Sequence, residues 1–330
     1  MFDFELEKAI KTVGERRAKR VLLQFPEGLK PFSTEVVDRL RSRLPEVEFL
    51  ISGEPSFGAC DVAEDEVKAV GADLILHFGH SPYTWYYPKF PTLFVEVRST
   101  SPLREDLVSE LIDVLVDYGA RSVSLTSTLQ YVRQMGELAS KLEDRFKVKV
   151  GRPSSPYMHE GQVLGCDYRA VEEADVNVHL SSGLFHALGV GLATGRPVVK
   201  VDLDNSRVVD LTPEVNRVLK VRYGKILQAM DARTWVIVQG LKVGQNRPLM
   251  VRFLESSLRS KGFKTYVVTS KNLSVESLRN IDRSYVDAYV ITSCPRLPTD
   301  DLYNFEKPVL TPGEAKMVIN NRLEPYIFPW

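Results

Sequence analysis

Short runs of apolar, β-branched residues alternate along the chain with segments whose apolar positions recur at helical spacing. The helical spacing is clear over 61–70, 106–118 and 212–223. Strands that alternate with helices in this way form parallel sheets, whose functional loops follow the carboxyl ends of the strands. The pattern therefore predicts an α/β fold with mainly parallel sheets.

The same arrangement is repeated along the chain. Asp73, Asp175 and Asp287 each open an apolar strand that ends in a loop, and each is followed by another strand with proline at its entrance. Proline suits that position because its missing N–H costs no ladder hydrogen bond there. We therefore expect three similar Rossmann-like domains that arose by internal triplication, over 1–105, 106–212 and 213–330.

Composition and charge narrow the possible functions. The content is 44% hydrophobic and 26% charged, and Lys+Arg and Asp+Glu are both 43. A balanced charge with no basic stripe argues against direct nucleic-acid binding. No apolar run is long enough to span a bilayer, and the opening MFDFELEKAI lacks the marks of a signal peptide. We expect a cytoplasmic protein with no membrane association.

The three cysteines occupy related places in this frame. Cys60 follows a strand and precedes a helix, Cys166 is predicted to lie at the equivalent loop-to-helix junction, and Cys294 ends the strand led by Asp287. Any one could be a small buried residue. None lies inside an apolar strand, however, and one falls in each repeat. Packing of the repeats would bring the three thiols together as ligands.

The ligand type limits the metal. Thiolates select zinc or iron–sulfur clusters. A structural zinc site normally has four protein ligands, often with a close pair, whereas this chain has three widely spaced cysteines. A 4Fe–4S cluster held by three thiolates leaves one iron open to a substrate. The three-cysteine C-x-x-x-C-x-x-C motif of ordinary radical S-adenosylmethionine enzymes is absent.

Several motifs together resemble the diphthamide synthase family. They are LLQFPEG at 22–28, FGACD at 57–61, ADLILHFGHS at 72–81, GCD at 165–167 and SCPRLPTDD at 293–301. The resemblance covers nearly the whole chain. It implies a non-standard radical enzyme whose 4Fe–4S cluster is held by one cysteine from each Rossmann-like domain, here Cys60, Cys166 and Cys294.

The resemblance also implies the reaction. Archaeal members are 2-(3-amino-3-carboxypropyl)histidine synthases, which carry out the first step of diphthamide biosynthesis. An electron cleaves the co-substrate S-adenosylmethionine to methylthioadenosine and a 3-amino-3-carboxypropyl radical, which adds to a histidine of translation elongation factor 2. A homodimer and an external electron donor are implied as well.

Other polar residues are candidates for the same centre. His80 lies at the loop position equivalent to Cys294 and is the best catalytic histidine. Glu27 and Gly28 follow the first strand and are expected to meet the cofactor's ribose or amino group, although a tight turn explains them equally well. Arg296 is expected to bind the methionine carboxylate, with a surface ion pair as the alternative. His186 is expected to help bind the substrate.

Two other functions fit the residues. A non-catalytic iron–sulfur protein could carry electrons or sense redox state, although an open iron in a large α/β protein suits electron transfer poorly. A small-molecule binding protein would make the cysteines incidental. Neither G-x-G-x-x-G nor a P-loop is present, so nicotinamide and P-loop nucleotide binding have no motif support.

Overall fold

The computed structural model describes residues 2–83 and 85–330. The described residues form fifteen strands: β1 (Phe2–Asp3), β2 (Arg20–Gln24), β3 (Glu48–Ile51), β4 (Leu74–Phe78), β5 (Thr92–Val95), β6 (Arg98–Ser99), β7 (Ser122–Ser127), β8 (Lys147–Val150), β9 (Val176–Leu180), β10 (Val198–Asp202), β11 (Arg207–Asp210), β12 (Thr234–Gly240), β13 (Lys264–Ser270), β14 (Ala288–Ile291) and β15 (Val309–Leu310). They also form ten α-helices: α1 (Leu6–Arg16), α2 (Ser33–Arg43), α3 (Glu64–Val70), α4 (Glu105–Asp117), α5 (Val132–Leu142), α6 (Phe185–Thr194), α7 (Thr212–Met230), α8 (Pro248–Ser260), α9 (Val275–Ile281) and α10 (Pro312–Ile319).

Three larger sheets carry most of the strands. Their orders are β3-β2-β4-β5, β8-β7-β9-β10-β11 and β13-β12-β14-β15. Within them only β11 runs antiparallel to its neighbour, and β1 and β6 form a separate antiparallel pair. The prediction of an α/β fold with mainly parallel sheets is confirmed. In each sheet the chain starts at an inner strand, adds the next strand on one side and the following strands on the other side. Open α/β sheets bind ligands at the carboxyl ends of the strands where the strand order switches in this way.

The aspartates at the strand entrances make the same hydrogen bonds in each sheet. One carboxylate oxygen of Asp73 accepts the backbone N–H groups of Lys19 and Arg20 at 2.8 and 2.9 Å. Asp175 accepts from residues 121 and 122, and Asp287 from residues 233 and 234, at 2.8–2.9 Å. Each aspartate therefore joins the start of its own strand to the start of the preceding inner strand.

The first sheet separates two apolar cores. One face, with Leu23 and Leu74, packs on α1 and α2. The other face, with Leu22 and Ile75, packs on the loop that carries Cys60 and on the chain around Cys166. A loop from the second sheet thus completes the core of the first, which brings two of the three cysteines to one place.

Two local predictions were wrong in detail. The helix expected over 212–223 continues as α7 to Met230, because Ile226 and Ala229 extend its buried face past Gly224. No helix begins after Cys166: its chain segment turns back through backbone hydrogen bonds between Leu164 and Asp167 at 3.0 Å. Among the described residues, no helix combines the length and the apolar character needed to cross a bilayer.

Candidate functional site

Three thiols from three different loops face one centre. Cys60 lies between β3 and α3, Cys166 between β8 and β9, and Cys294 just after β14. Burial and the negative charges of Cys166 and Cys294 together raise the pKa of Cys60 to about 12. Burial and the charge of Cys166 likewise raise the pKa of Cys294 to about 11. The charges of the three thiols therefore act on one another.

The three thiols form an all-sulfur donor set. All three are free and half-buried. Thiolates select zinc or iron–sulfur clusters, and a structural zinc site normally takes four protein ligands. Three thiolates from three loops therefore fit an iron–sulfur cluster, which spreads its ligands over several iron atoms.

The Cys60 loop is clasped by the segment that follows β12. The Gly244 N–H donates to the Cys60 carbonyl at 2.9 Å, and the Gln245 side chain donates to the Cys60 Sγ at 3.4 Å. A Cβ on Gly244 would lie 2.5 Å from the Cys60 Cα, so only glycine permits this approach. Beside it, the Lys242 Nζ pairs with Asp61 at 2.5 Å.

The Cys166 loop is held by aromatic side chains. The Tyr83 hydroxyl shares a 3.4 Å hydrogen bond with the Cys166 Sγ, and the Trp330 indole N–H donates to the Cys166 carbonyl at 2.9 Å. A Cβ on the neighbouring Gly165 would lie 2.1 Å from the Phe185 ring, which explains the glycine beside this cysteine.

Arg247 lies among the cysteine loops and was not predicted from the sequence. Its guanidinium donates to the carbonyl oxygens of Thr292, at 3.1 Å, and Ser293, and to the Tyr83 hydroxyl at 3.1 Å. Because the tyrosine oxygen accepts from Arg247, its own proton is free to point at Cys166. Arg247 immediately precedes α8, and its partners are distant in the sequence, so no local motif could reveal it.

A chain of hydrogen bonds connects His80 to the Cys60 loop. The Gln24 amide donates to the Asp61 carbonyl at 2.7 Å, which turns its oxygen toward the His77 Nδ1 at 2.8 Å. The His77 Nδ1 must then carry a proton, so its Nε2 accepts from the His80 Nδ1 at 2.9 Å. In neutral His80 this leaves Nε2 as an unprotonated acceptor.

His80, His186 and Arg296 form a second group drawn from three sheets. Burial and the charge of His186 together lower the pKa of His80 to about 4. Burial and the charge of Arg296 lower the pKa of His186 to about 4. Arg296 pairs with Asp300 at 3.0 Å and lies 5.8 Å from the centre of the Phe185 ring.

Glu27 and Gly28 lie in the 3-10 turn Glu27–Phe32 that follows β2. The Glu27 carboxylate pairs with the Lys30 Nζ at 2.6 Å and is largely exposed. A Cβ on Gly28 would meet no atom within 4 Å. The structure therefore gives Glu27 a local partner, and packing does not require glycine at position 28.

Together, the fold and the site define a class of protein: an α/β protein of three parallel sheets that places one thiol from each sheet at a common centre. The comparisons identify the family. The chain belongs to the family described as putative diphthamide synthesis protein, whose model matches residues 25–327. The family predicted from the sequence is confirmed.

The relatives agree in name and in structure. The chain is 33% identical to the 2-(3-amino-3-carboxypropyl)histidine synthase of Pyrococcus horikoshii over 97% of this chain and 90% of the relative. It is 30% identical to human 2-(3-amino-3-carboxypropyl)histidine synthase subunit 1 over 97% of this chain and 72% of the relative. The crystal structure of Dph2 from Pyrococcus horikoshii with a 4Fe–4S cluster matches with a TM-score of 0.87 at 31% identity, covering 100% of this chain and 94% of that chain. The prediction of a transferase of this synthase class is confirmed.

Proposed function

We propose that Cys60, Cys166 and Cys294 hold one 4Fe–4S cluster. The observation that carries the proposal is that three half-buried thiols, one from a loop of each sheet, lie where their charges act on one another. Three thiolates suit an iron–sulfur cluster better than a structural zinc ion, which normally takes four protein ligands. The cluster in the related Dph2 structure supports the same cofactor here.

The reaction we propose is the first step of diphthamide biosynthesis on translation elongation factor 2. When bound, the cluster would supply one electron to S-adenosylmethionine and recover one when the alkylated imidazole loses its proton, so the transfer consumes no net electron. Overall, the bond from sulfur to Cγ breaks and a carbon–carbon bond to the histidine imidazole forms. Methylthioadenosine and the displaced imidazole proton leave, so atoms and charge balance. The first reduction requires an external electron donor.

His80 is the proposed acceptor of that proton. Its Nδ1 is engaged by His77, so the free Nε2 takes the proton. The low pKa of His80, near 4, keeps this nitrogen unprotonated at neutral pH. The hydrogen-bond chain through Gln24 fixes the tautomer and the orientation of the ring, as a partnered base requires.

The other polar residues are proposed to bind S-adenosylmethionine. Arg296 would exchange its exposed partner Asp300 for the methionine carboxylate, which a guanidinium can bind through two hydrogen bonds. His186, next to Arg296, would contact the same part of the co-substrate. Glu27 and the backbone at Gly28 would bind the ribose or the amino group from the end of β2.

We also propose that the chain consists of three Rossmann-like domains, 1–105, 106–212 and 213–330, which arose by triplication. The repeated aspartate hydrogen bonds support this origin, since the aspartate and its partners are 54 and 53 residues apart in all three sheets. The same strand order in each sheet supports it further. We propose that the protein acts in the cytoplasm as a homodimer.

An anaerobic reconstitution tests the function. The wild-type protein is loaded with iron and sulfide, reduced with dithionite and mixed with S-adenosylmethionine and elongation factor 2. We expect about four iron and four sulfide per site, release of methylthioadenosine, and one 3-amino-3-carboxypropyl group on a histidine by mass spectrometry. An iron-free protein would refute the cluster, and a cluster without cleavage would favour an electron carrier.

Single variants test the ligands. Cys60→Ser, Cys166→Ser and Cys294→Ser keep nearly the same side-chain volume but supply a hydroxyl in place of a thiolate. We expect each to lose most of its iron while the metal-free protein keeps the wild-type circular dichroism spectrum and melting temperature. A variant that keeps both the iron and the activity would remove its cysteine from the site.

A further inference from the structure

Arg247 is a half-buried cation beside the three cysteines, and the proposed reaction assigns it no role. Its guanidinium bonds to the two carbonyl groups that precede Cys294 and to the tyrosine that bonds to Cys166. It therefore reaches two of the three proposed ligands through one intervening group each.

The side chain is also fixed from outside by two indole rings. The guanidinium carbon lies 3.8 Å from the centre of the Trp330 ring and 5.1 Å from that of Trp85. Trp330 in turn donates to the Cys166 carbonyl. A planar guanidinium can stack on an aromatic face and still donate in its plane, whereas a lysine ammonium is a single point charge.

The hydrogen bonds place the positive charge beside the thiols. The guanidinium is one hydrogen bond from the Tyr83 hydroxyl, which bonds to the Cys166 Sγ, and one from the Ser293 carbonyl in the peptide bond to Cys294. A fixed cation in this position stabilises negative charge at the centre.

We propose that Arg247 is a positioning residue that offsets the negative charge of the thiolate-held cluster and makes the cluster easier to reduce. The inference rests on the proposed function, because it requires the cluster. Adding an electron increases the negative charge of a cluster, so a fixed cation nearby favours the reduced form. Net charge and hydrogen bonding are established controls of cluster potential.

The test is a redox titration of the reconstituted protein followed by electron paramagnetic resonance. Arg247→Gln removes the charge and keeps an amide donor, and Arg247→Lys keeps the charge without the planar stack. The matched control is Arg259→Gln, which makes the same change at the far end of α8, about 18 Å along the helix axis. That distance exceeds the screening length of about 8 Å at physiological salt.

For Arg247→Gln we expect the ratio of reduced to oxidised cluster at a fixed potential to fall about tenfold, which is about 59 mV for one electron. Arg247→Lys should recover most of this loss, and Arg259→Gln should match the wild type. A merely structural role would change iron content and melting temperature but not the potential of the cluster that remains.

Three results would overturn the inference. One is a fully loaded Arg247→Gln protein with the wild-type potential. Another is a fall in the ratio of reduced to oxidised cluster that is as large in Arg247→Lys as in Arg247→Gln. If Arg247→Gln holds no cluster, the corresponding result is a tenfold fall of that ratio in Arg247→Lys. The last is an equal drop in Arg259→Gln. Failure of the wild type to bind a cluster would instead refute the proposed function, and this inference with it.

Discussion

A buried ion pair behind Cys294 provides a quantitative test of how the fold supports the site. Arg222 of α7 donates through Nε and Nη2 to the two carboxylate oxygens of Glu314 in α10, at 2.8 and 2.6 Å. Its side chain is 1% exposed and that of Glu314 0%. Arg222 also donates to the carbonyl oxygens of Pro298 and Val309 at 2.7 Å. Pro298 belongs to the turn that follows Cys294, so the pair anchors this part of the site.

Arg222→Met removes these four hydrogen bonds and leaves Glu314 buried without a counter-charge. Burial opposes the charge on Arg222, but the Glu314 carboxylate outweighs it and holds the guanidinium pKa above its usual value. Removing one partner of such a pair costs about 3–5 kcal/mol. Glu314→Gln added to Arg222→Met removes the stranded charge. Its amide oxygen can accept from the Thr311 N–H while its NH2 group donates to the Tyr326 hydroxyl, because these two groups bond to different carboxylate oxygens of Glu314. We expect the double variant to regain about 1 kcal/mol or more.

The assay is urea unfolding of the metal-free, reduced protein, followed by circular dichroism and tryptophan fluorescence. Arg259→Met is the matched control, because it removes an arginine whose ion pair with Glu255 lies at the surface; its midpoint should equal that of the wild type. The reasoning would be refuted if Arg222→Met lost less than about 1 kcal/mol, or if the double variant were less stable than the single one.

Two further predictions concern the loops and the histidines. Gly244→Ala places a Cβ 2.5 Å from the Cys60 Cα, so we expect loss of iron retention on reconstitution; Gly224→Ala, where a Cβ meets nothing within 4 Å in the middle of α7, should keep the iron and raise stability by about 0.5–1 kcal/mol. Burial lowers the pKa values of His80 and His186 to about 4 in the folded protein, against about 6.5 when unfolded. The unfolded chain therefore binds more protons between these values, so stability should fall as the pH is lowered from 6.5 to 4. The double His→Gln variant should lose less stability between pH 7 and pH 5 in urea melts; an unchanged pH dependence would contradict the assignment.

The frame of the fold was predictable because it is encoded locally. Strand and helix periodicity depends on residues a few positions apart, and the aspartates mark the strand entrances directly in the sequence. The boundaries were less certain. The helix expected over 212–223 continues past Gly224, because tertiary packing of Ile226 and Ala229 outweighs the modest helix cost of one glycine.

The composition of the site was only partly predictable, for the opposite reason. The cysteines could be singled out because none lies inside an apolar strand and each lies in a different one of the three stretches of chain that form the sheets. Arg247 could not, because its partners Tyr83 and Thr292 are 164 and 45 residues away. The helix expected after Cys166 was wrong. The expectation came from the similar sequence around Cys60, Gly-Ala-Cys-Asp, which does precede a helix, but Gly-Cys-Asp at 165–167 adopts a different backbone conformation.

The contacts around Cys60 explain why the site depends on the contacts between the sheets, here called the joints. Gly244 and Lys242 follow β12 of the third sheet, yet they hold the backbone and the neighbouring acid of a cysteine from the first sheet. A group bound by thiols from all three sheets would in turn hold those joints closed. Ligand binding and the relative placement of the sheets are therefore linked, and anything that binds only the assembled centre must stabilise the whole arrangement. The reconstituted protein should consequently have a higher urea midpoint than the metal-free protein. Each of the three cysteine variants should lose this difference.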